Sequence, residues 1–210
     1  FSLVPTLMNL GIKFFIIQIA VLIQFQLTNF LIMRYYGPSD VTEYNVAQKY
    51  FSMLFMVWNI IITPLWVATT DAFVREDFIW IRNALKKYLK LTLVFLSLGI
   101  LMFFVSPLFF KLWLDDTVMV SKGLSFWLLV YYFVQIFASV FVIVLNGCGV
   151  LKTQTITSII SPFVFLLVFF LLKGYGVGFY SVLIASIVAN FNGIVIAPIQ
   201  CLQLFWKRMN

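Results

Sequence analysis

The chain has 210 residues, 63% of them hydrophobic and only 10% charged, at a mean hydropathy of +1.07. A soluble domain is about half apolar and about a quarter charged, so this chain in water would expose large apolar patches, and lipid is the solvent that fits it. A net charge of +7 would point to nucleic acid in a soluble protein; here the bases sit mostly at the ends of apolar runs, where they report topology, and no nucleic acid is expected as a partner.

A spanning helix needs roughly 20 mostly apolar residues. The first such run covers 12–33 and stops at Arg34-Tyr35-Tyr36-Gly37-Pro38, a basic and aromatic border followed by a breaker. The second covers 46–73 and carries Pro64, a point for a kink. The third covers 89–112, the fourth 124–145 and the fifth 156–172. The Gly174-Tyr175-Gly176-Val177-Gly178 turn leads to the sixth, 182–205, with Pro198 near its end. The expected fold class is therefore all-α, a polytopic bundle of six transmembrane helices. The chain begins at Phe1 without a signal-peptide pattern, so a fragment of a longer protein is expected.

Orientation follows from the positive-inside rule. Alternate borders collect Lys13, Arg75, Arg82, Lys86, Lys87, Lys90, Lys152, Lys207 and Arg208 on one face. The other face holds Arg34, Lys49, Lys111, Lys122 and Lys173. The more basic face is expected to be cytoplasmic, with both chain ends on it. Between the second and third runs, Phe78 to Lys90 sets Arg82, Asn83, Lys86, Lys87 and Lys90 on one arc and Phe78, Ile81, Leu85 and Leu89 on the opposite one. This reads as an interfacial amphipathic helix facing the headgroups of membrane lipids, or as the start of the third span.

Polar residues on a spanning helix belong against protein or a water-filled cavity. In the second helix Asn45, Ser52, Asn59, Thr63 and Thr70 share a narrow arc at 100° per residue, flanked by Gln48 and Lys49. The first helix carries Lys13, Gln24 and Thr28 on one side, and Gln18 and Asn29 on another. The fourth aligns Gln135, Ser139 and Asn146. Each residue alone fits helix-to-helix hydrogen bonding at about 1 kcal/mol. Stripes on three helices together predict a solvated cavity, and Pro64, Pro107, Pro162 and Pro198 suggest helices that bend.

Of seven acids, only Asp71 falls inside a span; Asp40, Glu43, Glu76, Asp77, Asp115 and Asp116 lie in loops or at borders. There is no His, and Cys148 and Cys201 form no metal-ligand pattern. No carboxylate pair, phosphate loop or nucleophile–base pair is visible, which argues against an enzyme and against ATP-driven pumping. No cofactor is expected.

The stretch Asn59-Ile60-Ile61-Ile62-Thr63-Pro64-Leu65-Trp66, then Thr70-Asp71-Ala72-Phe73, Trp80-Ile81-Arg82 and Leu85-Lys86-Lys87, resembles the Wzx-type polysaccharide flippases of the multidrug/oligosaccharidyl-lipid/polysaccharide exporter superfamily. Gly11-Ile12-Lys13-Phe14-Phe15, Gly37-Pro38, Val41 and Tyr44-Asn45-Val46-Ala47 agree in order, as do Leu145-Asn146-Gly147, Lys152, Gly176-Val177-Gly178 and Pro198-Ile199-Gln200. The resemblance is to the C-terminal half, one six-helix lobe of a two-lobe transporter. It implies flipping of undecaprenyl-pyrophosphate-linked oligosaccharide across the bacterial inner membrane by alternating access, for O-antigen (lipopolysaccharide), capsule or exopolysaccharide. The implied partners are the lipid-linked oligosaccharide, an N-terminal lobe of the same chain, and polymerase and chain-length proteins of the pathway.

On that reading Lys13, Arg34 and Lys49 attract the pyrophosphate, and Gln24, Asn59, Gln135 and Asn146 meet sugar hydroxyls. Lys13 and Arg34 also fit border residues snorkelling to the interface. Asp71 and Arg75 fit either a gating ion pair or an intrahelical pair four residues apart. The chain departs from the family at Leu27-Thr28-Asn29, where Thr-Asp-Asn is frequent, and at Val67, where a second Pro is usual. The missing mid-membrane acid puts ion coupling through this half in doubt. A multidrug/toxin cation antiporter of the same superfamily would require buried acids, and a membrane polysaccharide polymerase a large outer loop; neither feature is visible.

Overall fold

A computed structural model describes residues 4–115 and 118–209, with side chains described for Met8 and for 11–115 and 118–204. Asp116 lies outside the described residues, and Lys207 and Arg208 outside the described side chains. Every element among the described residues is a helix or helical turn: α1 (Val4–Tyr35), α2 (Pro38–Val74), α3 (Phe78–Leu114), α4 (Lys122–Gly147), α5 (Lys152–Gly174), α6 (Ser181–Ala189) and α7 (Ala197–Met209). Five helices are long and apolar enough to cross a membrane unbroken, or six if the bent pair Gly178–Ala189 and Asn192–Leu204 counts as one span. The chain is a multi-pass, all-α membrane protein.

Local chemistry sets the helix starts. Gly37, at φ 106°, turns the chain, and Pro38 opens α2, where its missing N–H costs nothing. The Asp77 carboxylate accepts the Trp80 N–H to cap α3, and the Ser121 hydroxyl accepts the Leu124 N–H to cap α4. The turns then tie together at one end of the bundle. Tyr36 donates to the Gly178 carbonyl at 2.8 Å and lies 3.0 Å from the Ser181 hydroxyl. Glu43 accepts the Ser121 N–H at 2.9 Å. Lys173 sits 3.3 Å over the Tyr35 ring, which also packs on Phe169 and Phe170.

The helix at the centre is α4. Half of its most apolar stretch is buried, against 22–28% in α1, α2, α3 and α5. It packs on α2 and α3 along one side and on α6 and α7 along the other. Two apolar clusters form on it. One gathers Leu124, Leu128 and Tyr132 with Phe51, Phe110, Phe165 and Phe169; the other gathers Ile136, Val140 and Val144 with Trp58, Ile62, Phe95 and Ala197.

Two expected boundaries differ in the structure. The amphipathic segment 78–90 is not a separate element: it forms the first turns of α3, which runs 37 residues without interruption. Buried Ile81, Leu85, Thr92, Phe95 and Gly99 make one helical stripe across the expected junction, and no Gly or Pro interrupts it before Gly99. The sixth span, expected as one helix over 182–205, breaks at Asn190, eight positions before Pro198. A wide helical turn at Asn192–Ile196 follows, and the two halves meet at 42°.

The break allows a close approach. A Cβ built on Gly193 would stand 2.5 Å from the Ala138 Cβ and 2.9 Å from the Asn190 side-chain oxygen, so only glycine lets this turn seat on α4. Gly193→Ala is expected to cost about 1–3 kcal/mol by overpacking, read as a lower Tm of the purified protein, with Ala138→Gly restoring part of it. An unchanged Tm would mean that α4 and the turn are not in contact.

Candidate functional site

A cavity of about 330 Å³ lies between α1, α2, α4, α5 and the broken last span. Two contacts hold α1 and α2 together around it. The Asn45 amide donates to the Asn29 side-chain oxygen at 3.1 Å, and the Phe14 and Trp66 rings pack 5.2 Å apart. Gln24, which lines the cavity, lies about 16 Å along the axis from the Tyr35 end of α1. That is the middle of a hydrocarbon layer about 30 Å thick.

Hydrogen bonds converge on the break. Gln24 Oε1 accepts from the Ser161 hydroxyl at 3.0 Å, and this hydroxyl also lies 2.9 Å from the carbonyl of Ala189, the last residue of α6. Across the cavity, Gln135 Nε2 donates to the Tyr131 oxygen and Gln135 Oε1 accepts from Asn190 Nδ2, both at 2.9 Å. On the α2 side, Trp58 Nε1 donates to the Ser139 hydroxyl at 2.7 Å. Asn192 also lines the cavity, and its side-chain oxygen is buried with no hydrogen-bond partner among the described residues. Such an acceptor calls for a donor from water or a ligand.

All polar side chains lining the cavity are neutral: the amides of Gln24, Gln48, Gln135, Gln154, Asn190 and Asn192, with Ser, Thr and Tyr hydroxyls. No Lys, Arg, Asp or Glu lines it among the described residues. Neutral amides can stand in a low-dielectric interior at far lower cost than charges. Each offers donors and an acceptor, which matches hydroxyl and acetamido groups, while Tyr44, Tyr131, Phe25 and Phe55 offer ring surface. No group of three or more His, Cys, Asp or Glu suited to a metal ion occurs among the described residues.

Beside the cavity runs the polar arc of α2. Asn45, Ser52 and Asn59 are half-buried, and Thr63 and Thr70 are exposed. Asn59 bonds to the Phe55 carbonyl, Ser52 to that of Lys49 and Thr70 to that of Trp66, all within α2. At 100° per residue, Gln48 and Phe55 fall next to this arc on its cavity side. α2 therefore carries a polar lane, exposed at Thr63 and Thr70 toward one helix end and bordered beside the cavity by Gln48 and Phe55.

Of the residues singled out in the sequence, Gln24, Thr28, Gln48, Gln135 and Ser139 line the cavity. Asn59 and Lys49 stand outside it on α2, Lys49 exposed. Lys13 is half-buried in α1 and does not line the cavity. Arg34 is exposed, its guanidinium 5.9 Å from the ring of neighbouring Tyr35. Asn146 also lies off the cavity, its buried side-chain oxygen without a hydrogen-bond partner among the described residues. Asp71 and Arg75 pair with each other within one turn of α2, both largely exposed, so the pair joins no second element.

Sequence reasoning missed Asn190, Asn192 and Ser161. The cue was available: two asparagines and a glycine within Asn190-Phe191-Asn192-Gly193 interrupt an apolar run. Comparison with family models, curated proteins and solved structures finds no match to this chain.

A water-lined lane has a direct readout. With Cys148 and Cys201 replaced by Ala, Thr63→Cys is expected to react with a membrane-impermeant charged maleimide in inside-out membrane vesicles, which present the expected cytoplasmic face. Leu101→Cys, on the exposed apolar face of α3, is expected to stay unlabelled. Equal labelling at both positions would contradict a lane confined to α2.

Proposed function

We propose that the protein is a lobe of a two-lobe exporter that flips undecaprenyl-pyrophosphate-linked oligosaccharide across the bacterial inner membrane by alternating access, without ATP hydrolysis. The observation that carries this reading is the uncharged, amide-lined cavity at mid-span, bordered on α2 by a polar arc that runs on to Thr63 and Thr70. Polar side chains at that depth are costly against lipid, so they imply water or a second protein surface alongside.

The cargo has two parts with opposite solvent preferences. Its polyprenyl tail can stay in hydrocarbon, while its sugars and pyrophosphate cannot enter it. A hydrated lane open at its side lets the head travel along protein with the tail outside. Neutral amides that donate and accept weakly suit a cargo that must leave as readily as it enters. A second lobe would close the lane from the other side, and the basic Lys13, Arg34 and Lys49 would draw the pyrophosphate toward its ends. O-antigen, capsule and exopolysaccharide are the destinations this cargo serves. A cation antiporter would need an acid where its cargo binds, and none lines the cavity among the described residues.

The test uses the protein reconstituted in vesicles with a lipid-linked oligosaccharide and a reagent that reads only the outer leaflet. Gln24→Leu with Gln135→Leu removes two amides without adding charge, and is expected to slow flipping by at least about tenfold at equal protein level. ATP is expected to have no effect on the rate. A wild-type rate in the double variant would remove the cavity from the path, and ATP-dependent flipping would overturn the mechanism.

A further inference from the structure

A second cavity of about 370 Å³ lies on the outside of the bundle, between the last turns of α2 and the first turns of α3. Pro64, Leu65 and Ala68 form one wall; Trp80, Asn83 and Lys87 stand on the other, with Tyr88 beneath. The Tyr88 hydroxyl lies 3.4 Å from the Ile61 carbonyl, which pins this ring across the groove floor.

Depth and charge identify the occupant. Each of the two helices has 37 residues and is about 55 Å long, so it overshoots a hydrocarbon layer about 30 Å thick. Lys87 lies about 13 Å from the start of α3, where the overshoot puts the edge of that layer. Pro64 lies about 15 Å from the end of α2, at the same level. Trp80, 39% exposed, sits nearer the helix end, at headgroup height.

Lys86, Lys87 and Lys90 are exposed and make no ion pair among the described residues. The groove thus has a cationic and amide rim over an apolar floor, at the boundary where a lipid changes from head to tail.

We propose that this groove binds an anionic glycerophospholipid. Lys87 and the Asn83 amide hold its phosphate, Lys86 and Lys90 supply the surrounding field, and an acyl chain lies along Pro64, Leu65 and Tyr88. The site lies apart from the polar cavity and does not depend on the transport reading. Continuity of α3 gives it a purpose: the segment that meets the headgroups is the same rigid rod that packs on α4, so a bound lipid holds the α2–α3 hairpin at a fixed depth.

The test measures quenching of Trp80 in the intact protein by brominated phosphatidylglycerol and by brominated phosphatidylcholine, taking the Trp80→Phe protein as the blank. Stronger quenching by phosphatidylglycerol is expected. Lys87→Gln is expected to cut that preference about fivefold, the worth of one lysine at an anionic surface. Lys111→Gln, on the far end of α3, is expected to leave it unchanged. Ala68→Trp, paired with Trp80→Phe, fills the groove and keeps every charge; retention of phosphatidylglycerol, read by native mass spectrometry, is expected to fall. Equal quenching by the two lipids, an equal loss in Lys111→Gln, or full retention in the filled groove would overturn the proposal. So would displacement of the lipid by millimolar inorganic phosphate, which would make the site one for a free anion.

Discussion

The structure depends on one constraint: inside hydrocarbon, every polar group must find its partner within the protein. Continuous helices satisfy it in five spans, each bonding its own backbone. The last span breaks this pattern at Asn190, and the rest of the bundle is arranged around that break. The Ser161 hydroxyl of α5 stands within hydrogen-bond distance of the Ala189 carbonyl, and Gln135 of α4 takes the Asn190 amide. Gly193 lets the following turn press against Ala138. An irregular backbone is tolerated at membrane depth only where protein or water surrounds it, and here a polar cavity does so.

Position follows from packing. Because α4 is central, side chains on its cavity-facing side are held by neighbours on both flanks. Trp58 reaches across from α2 to Ser139, and Tyr131 fixes the Gln135 amide from one turn away. With one amide N–H and its oxygen engaged, Gln135 presents a set geometry. Asn192, whose buried side-chain oxygen has no partner among the described residues, stands in the same wall. The cavity thus combines a wall braced by hydrogen bonds with amides that offer donors and acceptors.

Much of this was legible in the sequence. Hydrophobic runs located the spans, and the polar arcs of α1, α2 and α4 placed Gln24 and Gln135 where the structure brings them together. Three features were not legible, for physical reasons. The α2 arc satisfies its hydrogen bonds within its own helix, so periodicity alone could not separate a cavity wall from an outer lane. The amphipathic stretch 78–90 continues a stripe of buried residues, so charge patterning suggested a boundary where the backbone has none. Side chains on α4 and α5 bond to the break at Asn190, whereas Pro198, the obvious local signal, is the second residue of α7, directly after the wide turn.

The central claim is that this polar path carries a lipid-linked oligosaccharide from one leaflet to the other. The most direct measurement follows that lipid in cells from which the gene has been removed, using a leaflet-specific label. The account requires the oligosaccharide to accumulate on the cytoplasmic leaflet, with surface polysaccharide lost. Normal appearance of the oligosaccharide on the outer leaflet would contradict it.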